Sequence, residues 1–158
     1  MDCHRECVLS SYQRLLVTTD LSKDCEFILA KAVEVARTTQ AELHVLHVAP
    51  SDRVGMGQVI KDNHYFSKAS LSVEMDYTDQ VKSLLTDWVA RYEIASDRIH
   101  VHTGTVKKVV NEYVELMAID LVVLGVHNRY GLKLLLGSNS DQLLHSVSCD
   151  ILAVRIPS

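Results

Sequence analysis

The chain predicts an open, parallel α/β sheet with helices on both of its faces. Short apolar runs recur along the 158 residues, and segments of helical period separate them. One run, Leu121-Val122-Val123-Leu124, is unbroken, as expected of a strand covered on both sides. Gly125 follows it where the ligand crevice of an open parallel sheet lies, and Gly137-Ser138-Asn139 opens a helix further on. Strand and helix in alternation imply right-handed crossovers onto one sheet.

Leu15-Leu16-Val17-Thr18 is the first predicted strand, with Thr19-Asp20-Leu21-Ser22 as the loop after it and Ser22 placed to cap a helix. Ile28, Ala32, Val35 and Ala36 then recur at helical spacing. The second strand runs from Glu42 to Val48, the third from Arg98 to Thr103, the fourth from Leu121 to Leu124, and the fifth from Ile151 to Arg155. Val81, Leu84, Leu85, Trp88, Val89 and Tyr92 form an apolar stripe before the third strand. Val106, Val109, Val110, Tyr113 and Met117 form one after it. The stretch from Pro50 to about Ser70 lacks periodicity and reads as a long functional loop, where Met56, Tyr65 and Phe66 offer apolar surface to a ring. One domain is expected over 12–158, with residues 1–11 as a flexible tail.

The net charge of -4 provides no basic footprint for a nucleic-acid backbone. No apolar stretch reaches the roughly 20 residues of a membrane span, and the N-terminus lacks a signal-peptide core, so a cytoplasmic protein is expected. Four cysteines, Cys3, Cys7, Cys25 and Cys149, are spaced too irregularly for a disulfide framework and read as free thiols. Cys3, His4 and Cys7 offer three metal ligands without a fourth; a solvated tail is the competing reading. His100 and His102 share one strand face, which suits a metal pair, a pH-sensitive patch or a solvated sheet end, whereas His44 and His47 point to opposite faces.

The candidate site is the stretch from Gly125 to Asn139. A helix start with small residues leaves backbone N–H groups unpaired at the positive end of the helix dipole, and an anion can settle there. That points to a nucleotide or another phosphate ester. His127 stands beside the presumed phosphates, and Arg129 and Lys133 carry charge nearby. No Lys-Ser/Thr phosphate loop and no catalytic triad is present, so any ATP hydrolysis is expected to be slow.

From Tyr12 to Pro157 the sequence resembles the universal stress protein family. The likeness rests on Leu16-Val17-Thr18-Thr19-Asp20-Leu21-Ser22, on Leu46-His47-Val48, and on Gly125 through Asn139 before a last strand ending Ala153-Val154-Arg155. It implies an adenine nucleotide alpha hydrolase-like fold of five parallel strands in the order 3-2-1-4-5, and ATP or a related adenine nucleotide (AMP or ADP) as ligand, with Mg2+ accompanying a triphosphate. On the family pattern, Asp20 and the Val48 backbone hold the base, Gly125 meets the ribose, and Asn128, Gly137, Ser138 and Asn139 hold the phosphates; Thr18, Thr19 and His127 are further candidates for the same site. The chain departs from that pattern: Asn128 replaces a second glycine, and the spacing to Gly137 is one residue short. Asparagine tolerates the left-handed backbone region, so the turn can persist. Asp150 stands where proline is common, a feature of members not thought to bind ATP.

Two functional readings follow. In one, the crevice binds adenine nucleotide and a dimer signals its occupancy. In the other, Gly125 and Gly137 only permit tight turns, Asp20, Ser138 and Asn139 only cap helices, and the dimer acts through protein contacts. Both include a homodimer through the apolar edge strand Ile151 to Ile156, paired about a two-fold axis.

Overall fold

Residues 12–49, 77–127 and 138–156 are described by a computed structural model. β1 (Arg14–Thr19), β2 (Glu42–Ala49), β3 (Ile99–Thr103), β4 (Leu121–His127) and β5 (Asp150–Ile156) form one sheet in the order β3-β2-β1-β4-β5. Every neighbouring pair is parallel. The helices are α1 (Cys25–Thr39), α2 (Tyr77–Val89), α3 (Val106–Leu116) and α4 (Ser138–Leu144), with short 3-10 turns at Ala90–Tyr92 and Ser96–Arg98. The expected class and strand order are both present.

Alternation along each strand divides the apolar residues between two cores. Leu15 and Val17 of β1 pack with Ile28 and Leu29 of α1 and with Val81, Leu85 and Val89 of α2. Leu16 points the other way, towards Val110, Tyr113 and Val114 of α3 and Leu143 of α4. The helices thus pair off, α1 with α2 on one face and α3 with α4 on the other. Each fully buried leucine removes apolar surface worth about 1.5–3 kcal/mol from water.

α1 buries Cys25, Ile28, Leu29, Ala32, Val33 and Ala36, a spacing of three and four that keeps one stripe on the sheet. It begins after Asp24, not after Ser22, and no side chain caps it. The Ser22 amide is taken instead by the Asp20 carboxylate at 2.9 Å, which holds Ser22 in the preceding turn. Gln40 ends the helix in the left-handed region at φ 58°, and its N–H returns to the Ala36 and Arg37 carbonyls.

Four of the five strands are longer than expected, and two of the extensions bear on the site. β1 continues through Thr19, which lies beside His47 of β2. β4 continues through Gly125 to His127, because β5 pairs along its full length and sets Gly125 beside Val154. His44 and His47 occupy opposite faces, as alternation requires. His102 is exposed, in keeping with a solvated sheet end, whereas His100 is half-buried, and Tyr113 of α3 sets its ring against His44, His100 and His102.

The tail 1–11 with Cys3, His4 and Cys7, the loop bearing Met56, Tyr65 and Phe66, and the positions Asn128, Arg129, Lys133 and Gly137 lie outside the described residues. Among the described residues no helix is long and apolar enough to cross a membrane.

Ile28 of α1 packs directly onto the backbone of Gly125. A Cβ there would stand 2.2 Å from Ile28 Cδ1 and 3.1 Å from Ile156 Cδ1. Gly125→Ala therefore forces Ile28 out of its position and should cost about 1–3 kcal/mol of stability, read as a lower urea midpoint. An unchanged midpoint would mean that Ile28 has free space elsewhere.

Candidate functional site

At the C-terminal end of the sheet, β1 sends its chain to one face and β4 to the other. The gap between them is the topological switch point, where ligands of open α/β sheets bind. A cavity of about 620 Å³ lies there, lined by Thr18, Thr19 and Asp20 from β1, Val48 from β2, Gly125 from β4, and Asn139 from α4. Small-molecule sites span about 300–1,000 Å³, so this one is large enough for a nucleotide.

The turn from β1 to α1 gives the crevice its charge. Leu21 takes φ 62°, an unfavourable conformation for a leucine, while its side chain is buried in the core at 4 % exposure. Two short hydrogen bonds hold that conformation: the Leu21 N–H donates to Thr19 Oγ1 at 3.0 Å, and the Ser22 N–H to Asp20 Oδ1 at 2.9 Å. The Cys25 thiol also donates to Asp20 Oδ1, at 2.9 Å. From the neighbouring strand, His47 Nδ1 donates to the Thr19 carbonyl at 2.8 Å. A carbonyl only accepts, so the ring proton is on Nδ1.

These contacts fix protonation states. Burial alone would raise the Asp20 pKa, but hydrogen bonds from Cys25 and Ser22 outweigh it and hold the carboxyl below its ordinary range. Asp20 is thus an anion that faces the crevice. Burial, then the Asp20 charge, pushes the Cys25 thiol up to about 11, so the sulfur is a proton donor and no nucleophile. Burial also lowers His47, against the opposing pull of the Thr19 carbonyl and Asp20, and keeps the ring neutral. Its Nε2 is buried without a partner.

On the opposite wall, the Ser140 hydroxyl donates to the Gly125 carbonyl at 3.2 Å and ties the first turn of α4 to the end of β4. Gly104, Thr105 and Val106, at the turn from β3 into α3, complete the lining. Gly104 sits at φ 144° with Val109 Cγ2 only 3.0 Å from where a Cβ would be, so the turn requires glycine.

The structure brings together Thr18, Thr19, Asp20, Val48, Gly125 and Asn139 of the expected set. Asn128 and Gly137 lie outside the described residues; His127 ends β4 and Ser138 begins α4. Reading the sequence missed Cys25, His47, Ser140 and the Gly104–Val106 turn as crevice residues. His47, beside Val48 near the end of a mostly apolar strand, was an available signal; the reach of Cys25 back to Asp20 depends on the path of the turn and leaves none.

Fold and crevice together define an open-sheet α/β protein with a cleft at the switch point of a five-stranded parallel sheet. The model of the universal stress protein family matches residues 11–155, and the chain belongs to that family. It is 33% identical to universal stress protein A homolog 1 of Coxiella burnetii over 143 residues, covering 90% of this chain and 96% of that one. Homolog 2 of the same organism is 30% identical over 149 residues, covering 94% and 98%. Among solved structures, universal stress protein UspA from Lactobacillus plantarum superposes with a TM-score of 0.65 at 18% identity, covering 92% of this chain and 99% of that one. A universal stress protein in complex with cAMP superposes with a TM-score of 0.58, also at 18% identity, covering 92% and 98%.

Because its proton is held by burial and by Asp20, Cys25 should resist iodoacetamide at pH 8 in the folded protein and react once urea unfolds it. Mass spectrometry of the labelled peptide reads the result; rapid labelling of the native protein would contradict the Asp20 hydrogen bond.

Proposed function

We propose that the crevice binds ATP or a related adenine nucleotide, ADP or AMP, and that the protein is a cytoplasmic stress-response module whose surface reports occupancy. The observation that carries this reading is the Asp20 carboxylate, kept ionised at the mouth of a crevice of nucleotide size. An ionised carboxylate accepts hydrogen bonds only, which suits the exocyclic amine of adenine. In this reading Thr18, Thr19, Asp20 and the Val48 backbone take the base, and Gly125 faces the ribose. His127, Asn128, Gly137, Ser138 and Asn139 meet the phosphates. Family membership and the relative solved with cAMP support it. Among the described residues no three His, Cys, Asp or Glu side chains converge on a metal, so Mg2+ would accompany the triphosphate. Any hydrolysis is expected to be slow, since the chain has no Lys-Ser/Thr phosphate loop.

One observation favours the second reading, a nucleotide-free interaction protein: Gly125 already has a packing reason in Ile28, so its presence does not require a ribose. The dimer belongs to both readings. β5 is the sheet edge, with Ile151 and Leu152 half-buried and Ala153 exposed along it, and antiparallel pairing of two copies would cover it.

Thermal unfolding separates the two readings. ATP at about 100 times its Kd should add about 2.7 kcal/mol and raise Tm by roughly 5–10 °C, and Asp20→Ala or a bulky residue at Gly137 should remove most of the rise. No shift with ATP, ADP, AMP or cAMP would leave the second reading. For the dimer, Ala153→Asp places like charges near the two-fold axis and should give a monomer in sedimentation; a dimer that survives it uses another surface.

A further inference from the structure

β2 and β3 carry three imidazoles on the face covered by α3. His100 lies beside Leu46 and His102 beside Val48 in the register, and His44 is two residues before Leu46, so all three side chains leave the sheet on one side. The rings are stacked: His44 and His100 have centroids 6.4 Å apart and planes 14° apart, and His100 and His102 stand 6.1 Å and 12° apart. The Tyr113 ring is 6.0, 5.2 and 6.2 Å from the three in turn. We propose that this stack, set behind the β3–α3 turn that lines the crevice, is proton-responsive, and that protons taken up by it loosen that turn and weaken ligand binding.

The stack has little means to accommodate a proton. His44 Nδ1 is bound to the Tyr113 hydroxyl at 2.8 Å, and His100 is bound to the Asp97 backbone. The Nε2 atoms of His44 and His100 are both buried without a partner. Protonating either ring leaves a charged group with a buried N–H that has no acceptor. The Tyr113 phenol, pushed up to about 12 by burial, stays neutral and offers no countercharge. Glu42 favours charge on His44, and Arg98 and Arg14 oppose it; Glu42 is already paired with both arginines, at 3.1 and 3.4 Å. Asp97 favours charge on His100, whereas His102 and Lys82 oppose it. Desolvation is the largest influence on both rings, and each is held below the ordinary value of 6.5.

The route from stack to crevice is short. His102 is two residues before Gly104, and Tyr113 is on the helix whose first residue, Val106, lines the crevice with Gly104 and Thr105. Charge in the stack therefore pushes β3 from α3 at the hinge of one wall. Burial increases along the stack, from exposed His102 through half-buried His100 to buried His44.

The sign follows from linkage. Above about pH 6.5 folded and unfolded chains are both neutral at these rings, and the fold keeps its full stability. As pH falls below that value, the unfolded chain takes protons that the folded chain refuses. Each such ring lowers the folding constant by up to tenfold per pH unit, until its own depressed pKa is reached. His47 adds to this from the other face of the sheet, so variants must separate the contributions.

The binding arm of the test rests on the proposed nucleotide reading; the titration and folding arms do not. Histidine ring signals and the amides of Gly104 to Val106 are followed by NMR from pH 7.5 to 5. Urea unfolding and ATP affinity are measured at pH 7.5 and 5.5. The expected result is titration of His44 and His100 below 6.5, with the three amides moving in step. The folding constant should drop at least tenfold, and His44→Gln and His100→Gln should each reduce that drop. ATP phosphates titrate in the same range, so the affinity criterion is that the variants lose less affinity in acid than the wild type. Titration of both rings at or above 6.5, or amides that ignore it, overturns the proposal even if the variants fail to fold. Equal acid loss of ATP affinity in wild type and folded variants overturns the link to the crevice. Failure of ATP to bind at pH 7.5 overturns the nucleotide reading and with it the effect on ligand binding, while the titration and folding arms still decide the response of the stack.

Discussion

How β1 is held between β2 and β4 determines the rest of the molecule. The Asp120 carboxylate, at the start of β4, accepts the backbone N–H groups of Gln13 at 2.7 Å and Arg14 at 3.1 Å. The Asp120 N–H returns a bond to the Arg14 carbonyl at 3.0 Å. These three bonds tie the two strands together at their N-terminal ends. The strands are then free to send their chains to opposite faces at the other end. The crevice is the geometric consequence of that divergence, and its position does not depend on what it binds.

What makes the crevice a site, and not merely a gap, is the polar work at one turn. Thr19 is used twice, its hydroxyl by Leu21 and its carbonyl by His47, and Asp20 is used twice on a single oxygen, by Ser22 and Cys25. Only Oδ1 of Asp20 is engaged by these two donors, which leaves acceptor capacity on the other oxygen for a ligand donor. A left-handed leucine whose side chain is anchored in the core sets the direction of that carboxylate. Strain here and burial there stabilise the same geometry, which is how an unfavourable φ persists.

The sheet was legible in the sequence because its signal is local: unbroken apolar runs, helical stripes, and glycine at a strand end. Asp20, Val48 and Gly125 were legible as a set through the family pattern and their places at strand ends. Strand lengths were less so, since β4 continues past Gly125 only because β5 pairs beyond it, a tertiary fact. The histidines show the limit most clearly. Period two correctly separated His44 from His47 and joined His100 to His102, but no spacing in the chain could set His44 diagonally across from His100. That requires the β2–β3 register, and the cover of Tyr113 requires α3 to cross back over both strands.

The two walls of the crevice are held by different physics, and this bears on how each can respond. On the Asp20 side, directed hydrogen bonds hold the turn, and burial keeps the Cys25 thiol protonated and the His47 ring uncharged at neutral pH. The Asp20 charge on that wall persists across the physiological range. On the β3 side, the contacts are ring against ring, with buried nitrogens unpaired and a single tight glycine at the turn. Packing of that kind is indifferent to ligand charge but sensitive to a proton, because one added charge changes the desolvation of a whole stack. A crevice built this way keeps its recognition element constant while its opposite side can yield. That asymmetry is what a binding module needs if occupancy is to alter its outer surface without loss of specificity.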